Sequence, residues 1–304
     1  MGYGSYEGFI LNLQANFSDP LMQNYMGLLL STDKQRTVGG VSYSNDAHWL
    51  EFGGSGYIVA HNNDYNSSDE RDNGYSAYLN LPLVATGYWR ASTTLDYTKD
   101  YDNIYRKPLE LSLDISNIKQ FGISKYPNSL NTLNLFISQD RGENSYGGSY
   151  SWMYGLPWQS FISLDGSYMK SNATDPNREK GIEINSNYAD IQTQRASISM
   201  PTIEKDRYAK ELKVGEIGLY KTVDTPLYFF SAPISLQRET IYLKQKLYDI
   251  DFINENKKYS ESTLGLESDL VFFNNFVMPI KFELLYNPDV ADQTQFRVLL
   301  GSEF

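Results

Sequence analysis

Apolar and polar residues alternate at period two along most of this chain, while helical i, i+3, i+4 stripes are scarce. Phe9, Leu11, Leu13, Ala15 and Phe17 share a face opposite Asn12, Gln14 and Asn16. Trp89, Ala91, Thr93, Leu95 and Tyr97 oppose Arg90, Ser92, Thr94 and Asp96. Leu109, Leu111, Leu113 and Ile115 oppose Glu110, Ser112, Asp114 and Ser116. Phe276, Met278, Ile280, Phe282, Leu284 and Tyr286 oppose Lys281 and Glu283. Weaker runs fill 23–33, 37–45, 49–60, 74–83, 119–125, 129–139, 146–154, 159–170, 182–200, 210–222, 239–253 and 260–273. The pattern predicts an all-β chain of about 14 to 16 antiparallel strands, with sixteen favoured.

Two solutions bury such faces, a soluble sandwich or barrel and a barrel in a bilayer. The apolar faces persist for five or six alternate positions, which matches the roughly 9–11 residues a strand needs to cross a membrane. A soluble strand runs about 5–6 residues in all. The opposite face carries Glu, Asp, Arg, Asn and Ser, as a polar lumen requires. Trp49, Tyr57, Tyr88, Trp89, Tyr97, Trp152, Tyr154, Trp158, Tyr168 and Tyr286 lie near the ends of runs, where interfacial girdles sit. Connections are tight at 18–23, 45–48, 81–87 and 273–275, and longer and polar at 61–73, 171–180 and 253–258. One transmembrane barrel domain over residues 1–304 is the expected architecture, placed in the outer membrane of a Gram-negative bacterium.

Composition narrows function. The net charge of −11 argues against a nucleic-acid partner. The absence of cysteine removes disulfides and thiolate metal sites. The opening MGYGSYEGF has neither the basic nor the apolar region of a signal peptide and reads as an excised or mature chain. His48 and His61 are the only candidates for a histidine base, each near an aspartate, and a solvated turn or loop histidine is the stronger reading of both. The acid-rich stretches 62–73 and 96–103 lack the spacing of a calcium loop. The chain is therefore expected to be no enzyme and to hold no cofactor or metal. Arg90, Asp96, Glu110, Asp114, Glu183, Lys281, Glu283 and Arg297 are the expected lumen-lining residues.

The C-terminal third, TLGLESDLVFFNNFVMPIKFELLYNPDVADQTQFRVLLGSEF (263–304), resembles the closing strands of the bacterial surface antigen superfamily, the BamA/TamA barrels. The shared pattern is Gly-Leu-x-x-Asp-Leu, a tight turn, an apolar strand ending at Tyr286, and a last strand ending Gly-x-x-Phe. Residues 214–252 are similar to the preceding part of that barrel, and 16–45 resemble a subgroup whose barrel follows a TolB-like propeller. The resemblance implies a barrel of about sixteen strands whose first strand, 8–17, pairs with the last, 294–304. It makes Phe9, Leu11, Leu13, Phe296, Val298, Leu300, Gly301 and Phe304 the barrel seam and C-terminal signal, with Ser302 departing from the signal's usual apolar residue. It implies as partners the lipid bilayer, lipopolysaccharide, the outer-membrane assembly machinery, and a periplasmic protein or upstream propeller. Exporting and inserting relatives carry Arg-Gly-Phe/Tyr in an inward loop, and here Arg141-Gly142 is followed by Glu143. Three functions stand open: membrane anchoring or protein assembly and translocation, a passive porin-like channel, and an outer-membrane hydrolase.

Overall fold

The computed structural model describes residues 2–4, 8–32, 36–47, 49–61, 71–99, 109–120, 126–140, 142–172, 181–185, 197–200, 202–203, 207–223, 227–229, 234–252, 254–272 and 276–300. These residues form strands, turns and bends, with no helix among them. The strands are β1 (Gly2–Gly4), β2 (Gly8–Ser18), β3 (Asn24–Thr32), β4 (Arg36–Asn45), β5 (Glu51–His61), β6 (Arg71–Ala85) and β7 (Trp89–Lys99). Next come β8 (Leu109–Lys119), β9 (Ser129–Asp140), β10 (Glu143–Leu156), β11 (Ser160–Ser171), β12 (Ile182–Asn185) and β13 (Ser197–Ser199). The chain continues through β14 (Arg207–Val223), β15 (Leu227–Phe229), β16 (Ile234–Phe252), β17 (Asn256–Phe272), β18 (Phe276–Tyr286) and β19 (Thr294–Leu300). Four of the nineteen are only three or four residues long, which leaves fifteen wall strands.

All nineteen belong to one sheet. From β2 to β11 each strand pairs antiparallel with the next. The wall then runs β11–β14–β16–β17–β18–β19. The short β12 pairs antiparallel with β14 and parallel with β13, and β15 folds back on β16.

The ladder of long strands does not close on itself. With fifteen strands alternating in direction, the first and the last run the same way, so β2 and β19 cannot pair antiparallel. The expected pairing of 8–17 with 294–304 is replaced by a reversed strand between them. Gly2, Tyr3 and Gly4 face Leu299, Val298 and Arg297 on one side, and Ile10, Phe9 and Gly8 on the other. A glycine-rich opening has no side-chain alternation to announce a strand. Over those three residues its backbone pairs with N–H and C=O groups that two bare edges would otherwise expose.

Period two decides which face each wall residue takes. Leu111, Ile137, Leu219, Ile241, Leu243 and Leu264 point outward and are about half exposed. Glu110, Ser138, Ser163, Thr240, Thr263 and Glu267 point inward and are buried. The apolar belt is edged by aromatic residues. Trp49, Tyr88, Trp89, Tyr154 and Trp158 lie exposed at the end of the short turns, and Tyr75, Tyr146, Tyr168 and Tyr286 at the end of the longer loops. Along β10, Tyr146 and Tyr154 are eight residues apart, about 27 Å of strand at roughly 3.4 Å per residue, close to the thickness of a hydrocarbon core. Beyond the loop-side girdle the outer face turns ionic, with Lys213, Asp249 and Lys258 aligned in register across β14, β16 and β17.

Three expectations change here. Tyr57 is no girdle residue: it is 4 % exposed and packs inside with Val38 and Val59. The turn expected at 81–87 is shorter, because β6 continues to Ala85 through a bulge between Pro82 and Val84. A bulge is where a strand tolerates a proline. The run 182–200 is not a wall strand. Its described parts fold inward, and Ile182, Ile184 and Met200 are fully buried with Ile203, Leu212, Ile250 and Phe252.

Candidate functional site: the charged lumen wall and the seam

Residues directly opposite one another in an antiparallel ladder share a face, so the register places the lumen side chains in rows. One row reads Phe161, Tyr220, Tyr242, Gly265, Glu283, Arg297 and Gly4 from β11 round to β1. The next row toward the turns reads Thr222, Thr240, Glu267 and Lys281. Toward the loops lies Asp165, Glu216, Lys246 and Glu261. Charge is therefore concentrated on the wall from β14 to β19. The wall from β3 to β6 presents Gly27, Ser42, Ser55 and Ser76 in a row of small polar residues.

Lys281 Nζ lies 3.6 Å from Glu267 Oε2. The Tyr242 hydroxyl donates to Glu283 Oε1 at 2.7 Å. Lys244 and Lys246 both approach Glu216, at 3.5 and 3.8 Å, and Lys244 also lies over the rings of Tyr220 and Tyr242. Arg297, 6 % exposed, donates from Nη2 to Gln295 Oε1 at 2.9 Å. Removing one partner of such a buried pair leaves an uncompensated charge, which costs about 3–5 kcal/mol. A linked network is accordingly much harder to disturb than surface ion pairs.

Two segments reach into the lumen from its ends. From the turn end, Tyr126 donates its hydroxyl to Glu267 Oε2 at 3.0 Å, and its ring packs on Phe161 and Tyr220 with centroids 5.4 and 5.2 Å apart. From the loop end, the Thr202 hydroxyl donates to Glu261 Oε2 at 2.9 Å and accepts from Asn287 Nδ2 at 2.8 Å. Thr202 and Asn287 are almost completely buried. The inward segment thus carries no Arg-Gly. Gly142 lies instead in the tight β9–β10 turn closed by Asp140 and Glu143, where its φ of +85° needs glycine.

The expected lumen residues are distributed as follows. Glu110 is 5 % exposed and stands opposite Asp96, which accepts from the Thr98 hydroxyl at 2.9 Å. Asp114 accepts from Asn134 Nδ2 at 2.5 Å. Arg90 shares the inward face of β7 with Asp96 but is exposed at the turn end. Lys281, Glu283 and Arg297 belong to the β18–β19 wall. Glu183 lies on β12 opposite Tyr208, and its side chain is outside the described residues. At the seam, Phe9 pairs with Tyr3, Leu11 with Thr32 and Leu13 with Leu30, while Phe296 and Val298 face outward. Leu300 pairs with Ile280, and Gly301 and Phe304 lie outside the described residues. So does His48, and His61 is described only as the backbone partner of Arg36. The acid-rich loops 62–70 and 100–108 are likewise outside.

Sequence reasoning missed Glu216, Lys244, Lys246, Glu261 and Glu267; four of them sit beside an outward leucine or isoleucine and were readable at period two, whereas Glu261 lies between Ser260 and Ser262. Tyr126 and Thr202 lie in connections, where no periodicity marks an inward side chain.

No family model matches the sequence, and no curated protein does. Solved structures share the fold. BamA from Haemophilus ducreyi lacking POTRA domains 1–3 is 13 % identical with a TM-score of 0.57, over 99 % of this chain and 68 % of that one. CdiB from Acinetobacter baumannii is 12 % identical with a TM-score of 0.61, over 98 % of this chain and 57 % of that one. A bacterial polysaccharide outer membrane secretin is 7 % identical with a TM-score of 0.55, over 100 % of this chain and 96 % of that one. With its apolar outer belt and polar lumen, this chain has the β-barrel fold of BamA and CdiB.

Proposed function

We propose that this barrel sits in the bacterial outer membrane as the bilayer-embedded part of a system that assembles or translocates protein, performing no chemistry of its own. The observation that carries the reading is the seam. β1 makes three residue pairs to each neighbour, whereas β16 and β17 share a ladder from Ile234 to Asp251. Among the described residues the backbone there is the thinnest join in the wall, the place where a client strand could add at an edge. Likeness in fold to BamA and CdiB agrees with it. A passive pore fits less well, because Tyr126 and the Thr202 segment both occupy the lumen.

A disulfide across the seam tests the reading. Tyr3 and Val298 are register partners, so Tyr3→Cys with Val298→Cys places two thiols on adjacent strands. In the native host, deletion of the gene is expected to deplete a defined set of outer-membrane or secreted proteins. The double variant is expected to restore them when reduced and not when oxidised. An unchanged envelope proteome on deletion, or full rescue by the oxidised variant, would overturn the proposal.

A further inference from the structure

A recess of about 350 Å³ opens in the lumen wall where β9, β10 and β11 meet β14 and β16. Its volume is at the lower end of small-ligand sites. The aromatic layer of Phe161, Tyr126 and Tyr220 bounds it toward the turns, and Ile198 of the inward segment lines it toward the loops.

Its polar groups are incompletely used. Ser163 is 2 % exposed, and its hydroxyl has no hydrogen-bond partner. Gly218, directly opposite, leaves that hydroxyl its space: a Cβ there would stand 2.6 Å from Ser163 Oγ. Asp165 faces Glu216 across the ladder, and among the described residues it takes part in no hydrogen bond or ion pair. Glu216 by contrast has two ammonium groups, both at long range. The wall of the recess thus carries two carboxylates and two ammonium groups, with an unused acceptor at Asp165, an unused hydroxyl at Ser163 and the Lys244 ammonium set between Glu216 and the rings of Tyr220 and Tyr242.

We infer that this recess binds a neutral saccharide of one or two rings. A carboxylate accepts hydrogen bonds from neighbouring sugar hydroxyls, an ammonium donates to others, and a serine hydroxyl does both. The Tyr220 ring and Val214 supply the apolar surface that a sugar's C–H face covers. An anionic ligand meets Asp165 and Glu216, and a simple cation meets Lys244 and Lys246, so net charge on the ligand is opposed in either sign. The inference does not rest on the assembly reading and holds whatever the seam does.

The purified barrel, held in a detergent without a sugar headgroup, is titrated by calorimetry and saturation-transfer NMR with glucose, N-acetylglucosamine, maltose, glucuronate and glucosamine. At least one neutral sugar is expected to saturate the protein and to bind more tightly than glucuronate or glucosamine. Asp165→Asn and Lys244→Met are each expected to weaken it about tenfold, the loss of one charge-assisted hydrogen bond. Ser163→Ala, the mildest change, is expected to weaken it severalfold, and the heat-dependent gel shift of each variant reports that the barrel is folded. Failure of every neutral sugar to bind, tighter binding of a charged probe, or unchanged affinity in folded Asp165→Asn would overturn the proposal.

Discussion

Tyr242 and Glu283 are hydrogen-bonded at 2.7 Å although a whole strand separates them. Tyr242 is on β16, Glu283 on β18, and between them in register lies Gly265 of β17. A Cβ at Gly265 would overlap the Tyr242 ring, so only glycine lets the ring lie flat across the intervening strand. The device recurs on the opposite wall, where Tyr78 of β6 lies across Gly53 of β5 and bonds Ser44 of β4. Gly265→Val is expected to lift Tyr242 off the wall and leave Glu283 short of a donor. The overpacking alone costs about 1–3 kcal/mol. Urea titration of the barrel in lipid vesicles measures it, and Tyr242→Phe, which keeps the ring and removes the hydroxyl, is expected to lose less. Equal stability of Gly265→Val and wild type would refute the geometry.

Facing decides how a charge is received. Leu243, outward on β16 and about half exposed, lies between Tyr242 and Lys244, both of which point into the lumen. Leu243→Arg is expected to destabilise the folded barrel by about 2–4 kcal/mol if the residue lies near the bilayer midplane. Ser42→Lys, exposed on the lumen side of β4 in the row of small polar residues, changes no lipid contact and is expected to change vesicle partitioning little. The measurement is folding into vesicles at fixed denaturant. A soluble, detergent-independent Leu243→Arg protein of wild-type stability would contradict the lipid-facing belt.

Asp19 closes the β2–β3 turn and gives that turn a pH dependence. Its carboxylate accepts the Asn24 N–H at 3.1 Å, the Asn24 side-chain amide at 3.1 Å and the Gln23 N–H at 2.7 Å. The backbone bond from Asn24 first, and then its side chain and Gln23, hold the carboxyl below the usual carboxylate range. A depressed folded-state value means the stabilisation is fully present above the unfolded value of about 3.9 and disappears as pH falls through the lower, folded one. Amide exchange at Gln23 and Asn24 is expected to be slow at neutral pH and to accelerate in strong acid beyond the change in intrinsic rate. Asp19→Asn is expected to abolish that extra acceleration. Identical corrected protection on both sides of the transition would exclude the role.

The two faces of the wall were legible in sequence because inward and outward residues differ in polarity: Leu109 from Glu110, Phe296 from Arg297. Where both faces are apolar the phase is lost. Tyr57, Ile58, Val59 and Ala60 form such a run, and Tyr57 with Val59 turns inward while Ile58 faces lipid. The seam was legible only in part, since Gly2–Gly4 pairs through backbone groups that carry no residue signature. The stretch 182–200 has real alternation, but its buried isoleucines serve a segment packed within the barrel. Period two reports a strand with two unlike faces and is silent on whether the apolar one meets lipid or a lumen core. Tyr126 had no pattern to read, since its place depends on partners 35 to 141 residues away along the chain.

On that same tyrosine the conductance of the lumen is expected to depend. Tyr126 holds its place by one hydrogen bond to Glu267 and by ring contacts to Phe161 and Tyr220. Offset or tilted aromatic contacts contribute about 0.5–1.5 kcal/mol each beyond burial, so the ring outweighs the hydroxyl in keeping the residue inside. Glu267 retains Lys281 at 3.6 Å when the hydroxyl is removed. Tyr126→Phe is therefore expected to keep the lumen obstructed, and Tyr126→Ala to free the space between β11 and β17. In planar bilayers, wild type and Tyr126→Phe are expected to show low, similar conductance, and Tyr126→Ala a severalfold larger one. High wild-type conductance that Tyr126→Ala leaves unchanged would restore the passive channel as the better reading.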